Sequence, residues 1–578
     1  MKYKLFDKSL NDKENVIQTI LINRGIDNWE EYLNLDESCC NDYDNLENIN
    51  EAIELFDRHF SQRHPIAILI DEDVDGQCSA ACMYSYIKCL DDTYPVYYIL
   101  HSHNKAHGLA KMNDGDFEIS DDVGLLIIPD AGTNDVEQMN ELISKGIDCL
   151  CLDHHHNEGS NIKCDGVIVN NQMSDNYTDK NFCGTGITYE FLRALDDWYI
   201  ASFADEFLDL VCFANIADVM SMKDCQTRYY VEEGFKNIQN KFLLAMMDTQ
   251  EFSTKGVWNI FNVAWYLVPP INSLIRIGSL EDKDKLFRAF IEQDATFPYK
   301  KRGSTEEIDE DIYTHVARLC KNTKSKQDRM RDALCEELKE RVDMNDKVSL
   351  LVADNSDGGI VGLSCMKLAD NIGRPCIIVK DIGDGKLAGS ARNCHNSIVK
   401  DLKELVSSVG VFNFVAGHSN AFGTEISIDK LQEARDALNK ALENYEYDDT
   451  IYCDFILDAY DVDYEFIKTI DESKWLYGTG IEEPVVAIEN IEISADDCIV
   501  MGKNQDSVAF MYRGVKYCKF KCKEDDKLLE FANGMGDDFI TLTIVGECSI
   551  NEYKGSYTAQ VIIDEYTIQN DWGEKDEI

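Results

Sequence analysis

Four short clusters in this sequence carry side chains able to act on a phosphate ester. They are Asp71-Glu72-Asp73-Val74-Asp75-Gly76, Asp130-Ala131-Gly132, Asp153-His154-His155-His156 and Ala217-Asp218-Val219. Hydrolysis of a phosphodiester at neutral pH requires an activated water and positive charge on the developing oxyanions, and two divalent ions about 3.5 to 4 Å apart supply both. Such ions need hard carboxylate oxygens, one carboxylate able to bridge, and an imidazole that favours Mn2+ or similar ions over Ca2+. Asp71, Asp73, Asp130, Asp153, His154, His155 and Asp218 make up that inventory. Taken singly, an Asp after a strand is as well explained as the cap of the next helix. Capping does not call for several strand ends doing the same, nor for adjacent histidines. Asp75 stays open between ligand and cap, and His156 reads as exposed or hydrogen-bonded.

The elements that must position these residues are legible as apolar runs. Residues 66–70 lead into Asp71, 123–129 into Asp130, 149–152 into Asp153, and 167–169 into Asn170-Asn171. Short Ile/Val/Leu runs alternating with helical patterns indicate a parallel α/β domain. Ligands bind at the carboxyl ends of such strands, so four strands would bring these side chains to one edge of a sheet. A helical stretch over 203–217 precedes Asp218. From Tyr313, an amphipathic pattern continues to Val342 with a polar, basic middle that includes Lys321, Lys324, Lys326, Arg329 and Arg331. A helix apolar at both ends and polar between them joins two bodies.

A second α/β unit follows, and then segments alternating with period two that read as an all-β module. Within it Tyr512 to Lys523 is a basic island with interleaved aromatics. Period two places Tyr517, Lys519 and Lys521 on one face and Lys516, Cys518 and Phe520 on the other. Contact with a single strand and ordinary barrel packing both account for it. The expected organisation is an N-terminal helical segment (1–60), a first α/β domain (61–300), a connector helix (301–345), a second α/β domain (346–455), an OB-like β-barrel (456–570) and an acidic tail (571–578).

The chain has 578 residues, too many for one core. It has 56 Lys and Arg against 107 Asp and Glu, a net charge of -51, where nucleic-acid binding usually shows as a basic face. Clustered carboxylates for metal and local cationic guides reconcile the two, with most of the charge being solvated surface. The 21 cysteines lie scattered with no C-x-x-C pair, as reduced buried thiols do. No apolar run is long enough to cross a bilayer and no signal peptide is recognisable, so a cytoplasmic protein without membrane attachment is expected.

The ordered motifs resemble motifs I to IV of the DHH phosphoesterases: D-x-D-x-D-G at Asp71 to Gly76, Asp130-x-Gly132, Asp153-His154-His155 and Asp218. Spacing and context resemble the RecJ-like exonucleases in particular. Pro270-Ile271-Asn272-Ser273 with Arg276, Gly389-Ser390-Ala391-Arg392, Gly417-His418-Ser419-Asn420 and Asn551-Glu552-Tyr553-Lys554-Gly555 extend the resemblance through a DHH-associated domain to a terminal OB-like domain. The resemblance implies two ions, Mn2+ or Mg2+. Asp71 and Asp130 would hold one, and Asp73, Asp130, His154 and Asp218 the other. His155 would lie by the scissile phosphate as a catalytic residue, with Asp153 orienting the histidines. It further implies phosphate contacts from Arg276, Ser390, Arg392 and His418, and stepwise release of 5′-mononucleotides from the 5′ end of single-stranded DNA; strand contacts from Tyr517, Lys519 and Lys521 rest on the basic island alone. Single-strand-binding or replication proteins are the implied partners. Ala67 stands where the small-substrate branches carry a histidine, which points to the exonuclease branch. Two other functions are weighed beside it, cleavage of short oligonucleotides or cyclic dinucleotides and a non-catalytic single-strand-binding replication scaffold.

Overall fold

The computed structural model describes residues 1–578 apart from 8–9, 103–106, 160–161, 302, 304, 354–357, 395–396, 398, 444–449, 524, 537, 554 and 570–578. The expected acidic tail and Lys554 fall outside the described residues.

The strands Ile66–Ile70 and Leu125–Pro129 are buried along their whole length. Parallel strands covered on both faces by helices have no solvent side, which is why they read as unbroken apolar runs. The sheet is parallel throughout, in the order Val96–Leu100, Ile66–Ile70, Leu125–Pro129, Asp148–Asp153, Val167–Asn170. The chain winds outward from Ile66–Ile70 to Val96–Leu100 and then crosses to the other side for Leu125–Pro129. That reversal opens a crevice at the carboxyl ends of the two central strands, where Asp71 and Asp130 stand. Helices Val74–Leu90, Gly184–Tyr199 and Leu208–Ala217 pack together on one face, and Val136–Ser144 covers part of the other over a separate apolar cluster.

The N-terminal segment is not purely helical. Lys2–Leu5 forms a strand that pairs in parallel with Thr450–Cys453. Arg24 donates to both carboxylate oxygens of Asp454 at 2.7 and 3.1 Å, with both residues buried. A pairing between residues this distant in the chain leaves no local pattern, so helical periodicity alone was visible.

A hairpin, Thr296–Tyr299 with Ile308–Asp311, precedes the connecting helix Ile312–Lys339, which begins with Asp311 accepting from the Thr314 amide at 2.9 Å. Its 28 residues span about 42 Å. Ile312, Val316, Ala317 and Cys320 belong to the large core, whereas Leu334 and Leu338 pack with Leu351, Ile360 and Leu368 in another. One helix thus anchors two bodies. The second α/β body is a mixed sheet ordered Phe414–His418, Ala421–Ser427, Lys386–Arg392, Cys376–Gly383, Ser349–Val352, with only the last pair parallel.

The C-terminal module is a seven-stranded sheet in the order Phe455–Asp458, Val486–Ser494, Phe539–Tyr553, Ser556–Gln569, Val515–Lys519, Ser507–Tyr512, Cys498–Met501. Among the described residues its two outer strands do not pair with each other, the partly open form that an OB-like barrel takes. Helix Tyr464–Glu472 lies against the long hairpin. Phe455, Ile488, Tyr517 and Val561 belong to the same core as the helices on the first parallel sheet, so these domains share one apolar interior. All 21 cysteines are free thiols, most of them buried. Among the described residues no helix is long and apolar enough to cross a membrane.

Candidate metal centre and nucleic-acid cleft

Asp71 follows the end of Ile66–Ile70, and Asp73 caps helix Val74–Leu90 by accepting from the Gly76 amide at 2.9 Å. Asp130 ends Leu125–Pro129 in the left-handed region (φ 63°), its amide donating to the Leu152 carbonyl at 2.8 Å. Asp153 is the last residue of its strand, and Asp218 caps the carboxyl end of Leu208–Ala217. Nε2 of His154 lies 3.3 Å from Asp130 and 3.5 Å from Asp218. Three overlapping groups have donor atoms within 4.8 Å of one another: Asp71, Asp73 and Asp130; Asp130, His154 and His155; and Asp75, His154 and Asp218.

The electrostatics of this cluster are those of a cation site. Asp130 Oδ1 is buried with no hydrogen-bond partner. Burial, and then the charges of Asp75, Asp73 and Asp71, push Asp130 well above the usual carboxylate range, and Asp218 likewise. Burial and the charges of Asp71 and Asp75 push Asp73 up to about 6. Carboxylates crowded this closely repel one another unless a cation lies among them. Burial would also raise Asp71, but the cationic His107 and the Gly108 amide hold it low. Oxygen donors with one imidazole suit Mn2+ or Mg2+.

Asp153 has no place in the donor cluster. Its carboxylate accepts from the amides of His154 at 2.7 Å and Thr133 at 2.9 Å, and from Nδ1 of His155 at 2.8 Å. Burial opposes its ionisation, yet these bonds and the two histidines hold it far below the ordinary range. The His155 ring is thereby fixed at the rim, 40% exposed. Asp75 does not cap the helix that begins beside it. It accepts from the amides of Gly184 and Thr185 at 2.7 and 2.8 Å and from the Thr185 hydroxyl at 2.5 Å, pinning the start of helix Gly184–Tyr199 beneath the site. Gly184 cannot be larger, because a Cβ there would sit 2.4 Å from Asp130 Oδ1. His156 is exposed, and its carbonyl accepts from Asn134 at 3.0 Å.

His107 escaped the reading of the sequence. Its Nδ1 lies 2.9 Å from Asp71 Oδ2, its ring is 4.8 Å from that of His155, and the Asp71 charge raises it to about 10. A lone histidine in a loop offers no spacing by which to find it.

A cavity of about 380 Å3 is lined by Asp71, Asp73 and Arg276 from the first α/β domain and by Ser390 and Arg392 from the second. Burial lowers the pKa of Arg276, against the charge of Asp73. Burial also lowers that of Arg392, as does the nearby Arg276. Gly362 allows this packing, since a Cβ would lie 3.0 Å from Arg392 Nη2 and 3.4 Å from Ser390 Oγ. The two cations therefore share one chamber with the carboxylates. The side chain of His418 lies outside the described residues.

The basic island needs correction. Tyr517 is 1% exposed and stacks on Phe510 with ring centroids 5.2 Å apart, so it presents no surface to a strand. Val515–Lys519 is an interior strand of the sheet, and Leu528 and Phe531 of the short helix after it belong to the same core as Tyr517. Both faces are covered at the middle of the strand, Cys518 opposite Tyr517 being buried as well, so alternation marks no exposed face here. Lys519 donates to the Asp564 carbonyl at 3.0 Å and lies over Tyr566, whereas Lys521 is exposed beyond the strand end.

Residues 65–215 match the DHH family, N-terminal domain, and residues 453–565 match the RecJ OB domain. The chain is 34% identical over 580 residues to the SPbeta prophage-derived protein YorK of Bacillus subtilis (strain 168), which carries the name of a single-strand DNA-specific exonuclease; 98% of each chain is covered. It is 23% identical to the single-stranded-DNA-specific exonuclease RecJ of the same organism, covering 98% of this chain and 70% of that one. The crystal structure of RecJ in complex with Mn2+ from Thermus thermophilus superposes with a TM-score of 0.75 at 16% identity, over 99% of this chain and 79% of that one.

Proposed function

The chain belongs to the DHH family, with the exonucleases named RecJ and YorK, and we propose on that premise that it hydrolyses single-stranded DNA from the 5′ end. The observation that carries this reading is the single chamber in which Asp71 and Asp73, which share a donor cluster with Asp130, lie with Ser390 and Arg392. A complete donor set speaks against a non-catalytic scaffold. The added C-terminal module and Ala67 speak against a small-substrate enzyme.

Asp71, Asp73, Asp130, His154 and Asp218 would hold two ions, Mn2+ or Mg2+. When bound, these ions supply a hydroxide and the positive charge that the transition state requires. Asp153 holds the proton on Nδ1 of His155, which leaves Nε2 toward the cleft to engage the scissile phosphate. Arg276 neutralises phosphate charge beside Asp73. Ser390 and Arg392 receive the terminal 5′-phosphate, for which the planar guanidinium is suited because it pairs two oxygens at once, and His418 assists them. The spacing between that pocket and the cluster sets one nucleotide per cut. Lys519 and Lys521 are retained as strand contacts at the C-terminal module.

The free thiols support a reducing, cytoplasmic setting. Single-strand-binding or replication proteins are the partners a strand-degrading enzyme would meet. The deciding experiment is digestion of a strand labelled at either end, with Mn2+ and with chelator. Metal-dependent release of 5′-mononucleotides from the 5′ end is expected. Digestion from the 3′ end would overturn the polarity, and no digestion of any single strand would overturn the function.

A further inference from the structure

Residues 260–277 form one continuous helical run: Ile260–Asn262, the π-helical turn Val263–Leu267, and Val268–Ile277. Val263, Leu267, Val268, Ile271, Leu274 and Ile275 are buried. Phe261, Trp265, Pro269, Asn272 and Arg276 are not. Their spacing of four, four, three and four makes one stripe along the helix. One end of that stripe is Arg276, inside the chamber with Asp73 and Arg392. The other end is two large aromatics in solvent, Phe261 at 41% and Trp265 at 67% exposure, with ring centroids 6.2 Å apart. Between them and Arg276, Asn272 leaves its buried Oδ1 without a partner. A π turn in the middle of the run fits a functional stretch, where such turns concentrate.

We propose that Phe261 and Trp265 are a nucleobase-stacking subsite for the strand whose backbone Arg276 engages. This deepens the single-stranded-DNA reading and rests on it. Exposed rings in line with a cation match what a single strand offers, since every base has a π face and every linkage a charge. The occupant is identified by continuity, because the same stripe runs into the chamber that holds the scissile linkage. Eleven residues separate Trp265 from Arg276, roughly 16 Å of helix. At about 3.4 Å per stacked nucleotide, the base on Trp265 lies no more than about five nucleotides from the one at Arg276.

The test uses the full chain with Mn2+ and 5′-phosphorylated strands in which one abasic nucleotide is moved through the positions near the 5′ end. For the native chain, KM should rise about tenfold at one or two adjacent positions, where a stacked base is missing. Trp265→Ala should carry that raised KM on the unmodified strand and respond no further to the abasic step, while Trp265→Phe restores both. The subsite is overturned if no position is sensitive in the native chain, or if Trp265→Ala keeps native KM and native abasic sensitivity, as it would were the rings a protein-docking face. A native chain that digests no single strand at all overturns the function and the subsite together.

Discussion

At the scale of single residues, Asp130 and Asp75 show how one sheet edge gives identical carboxylates different work. Asp130 has a buried oxygen that accepts no hydrogen bond and has His154 Nε2 3.3 Å away, whereas Asp75 accepts two amides and a hydroxyl. Asp130→Ala should abolish Mn2+-dependent hydrolysis, since as the proposed bridging ligand it would serve both ions. Because burial and neighbouring carboxylates hold Asp130 above its ordinary range, its ionised form opposes folding at neutral pH. The metal-free variant should therefore melt no lower than the metal-free native chain. Near-native turnover at saturating Mn2+ would remove Asp130 from the centre. Arg392 tests the lining from the second domain. Arg392→Ala should cut the preference for a 5′-phosphate over a 5′-hydroxyl by about 1.5 to 3 kcal/mol, the worth of a charge-assisted hydrogen bond. Competition between the two strands measures it, and an undiminished preference would empty the pocket of its role.

At the scale of elements, the motifs at the ends of Ile66–Ile70, Leu125–Pro129 and Asp148–Asp153 were legible because a doubly covered parallel strand is an apolar run with a polar stop. The ends of the connecting helix were legible for a similar reason, apolar where each core takes hold and polar between. What stayed hidden depended on contacts distant in the chain. Asp75 caps a helix that starts more than a hundred residues later, Lys2–Leu5 finds its partner strand at Thr450–Cys453, and His107 reaches Asp71 from a loop. Tyr517 and Cys518 show the limit of alternation, since opposite faces of their strand are both buried. Helix Gly184–Tyr199 holds a further buried acid, Glu190, contacted by Gln226 at 3.0 Å and Arg193 at 3.2 Å. Burial raises it from 4.5 to about 7 against the pull of Arg193. A carboxyl raised on folding leaves stability intact below its unfolded value and lowers it as pH climbs through the folded one. Glu190→Gln should remove that slope, with a gain above pH 7 of at most ~3 kcal/mol. Melting curves at intervals from pH 4.5 to 8 check it, and parallel pH profiles for the two proteins would refute the assignment.

At the scale of the whole molecule, the C-terminal sheet and the helices of the first α/β domain share one core, and Arg24 with Asp454 ties the N-terminal segment to it. The second α/β domain has its own cores and is joined to the first by the polar middle of one helix, while the segment that leaves it is tied down by the Lys2–Leu5 strand and Arg24. The chamber that holds Asp73 and Arg392 draws its lining from both bodies, and that helix is one of the elements that set their spacing. A net charge of -51 adds a requirement, since a polyanionic strand is drawn to this surface only where cations are gathered locally. Ser325 lies in the polar stretch, exposed, its hydroxyl donating to the Lys321 carbonyl at 3.0 Å. Proline there removes one backbone hydrogen bond and clashes with the preceding turn, at a local cost of about 3 kcal/mol, and kinks the helix. Neither flanking core includes this residue, so Ser325→Pro should unfold near the native temperature. Stepwise digestion of 5′-phosphorylated strands should fall by at least about tenfold, because the pocket no longer faces the metal cluster at the distance that cutting requires. Ser325→Ala keeps the helix and should keep the activity. If the proline variant digests at the native rate with native 5′-phosphate preference, the two linings do not act as one site and the helix is only a tether.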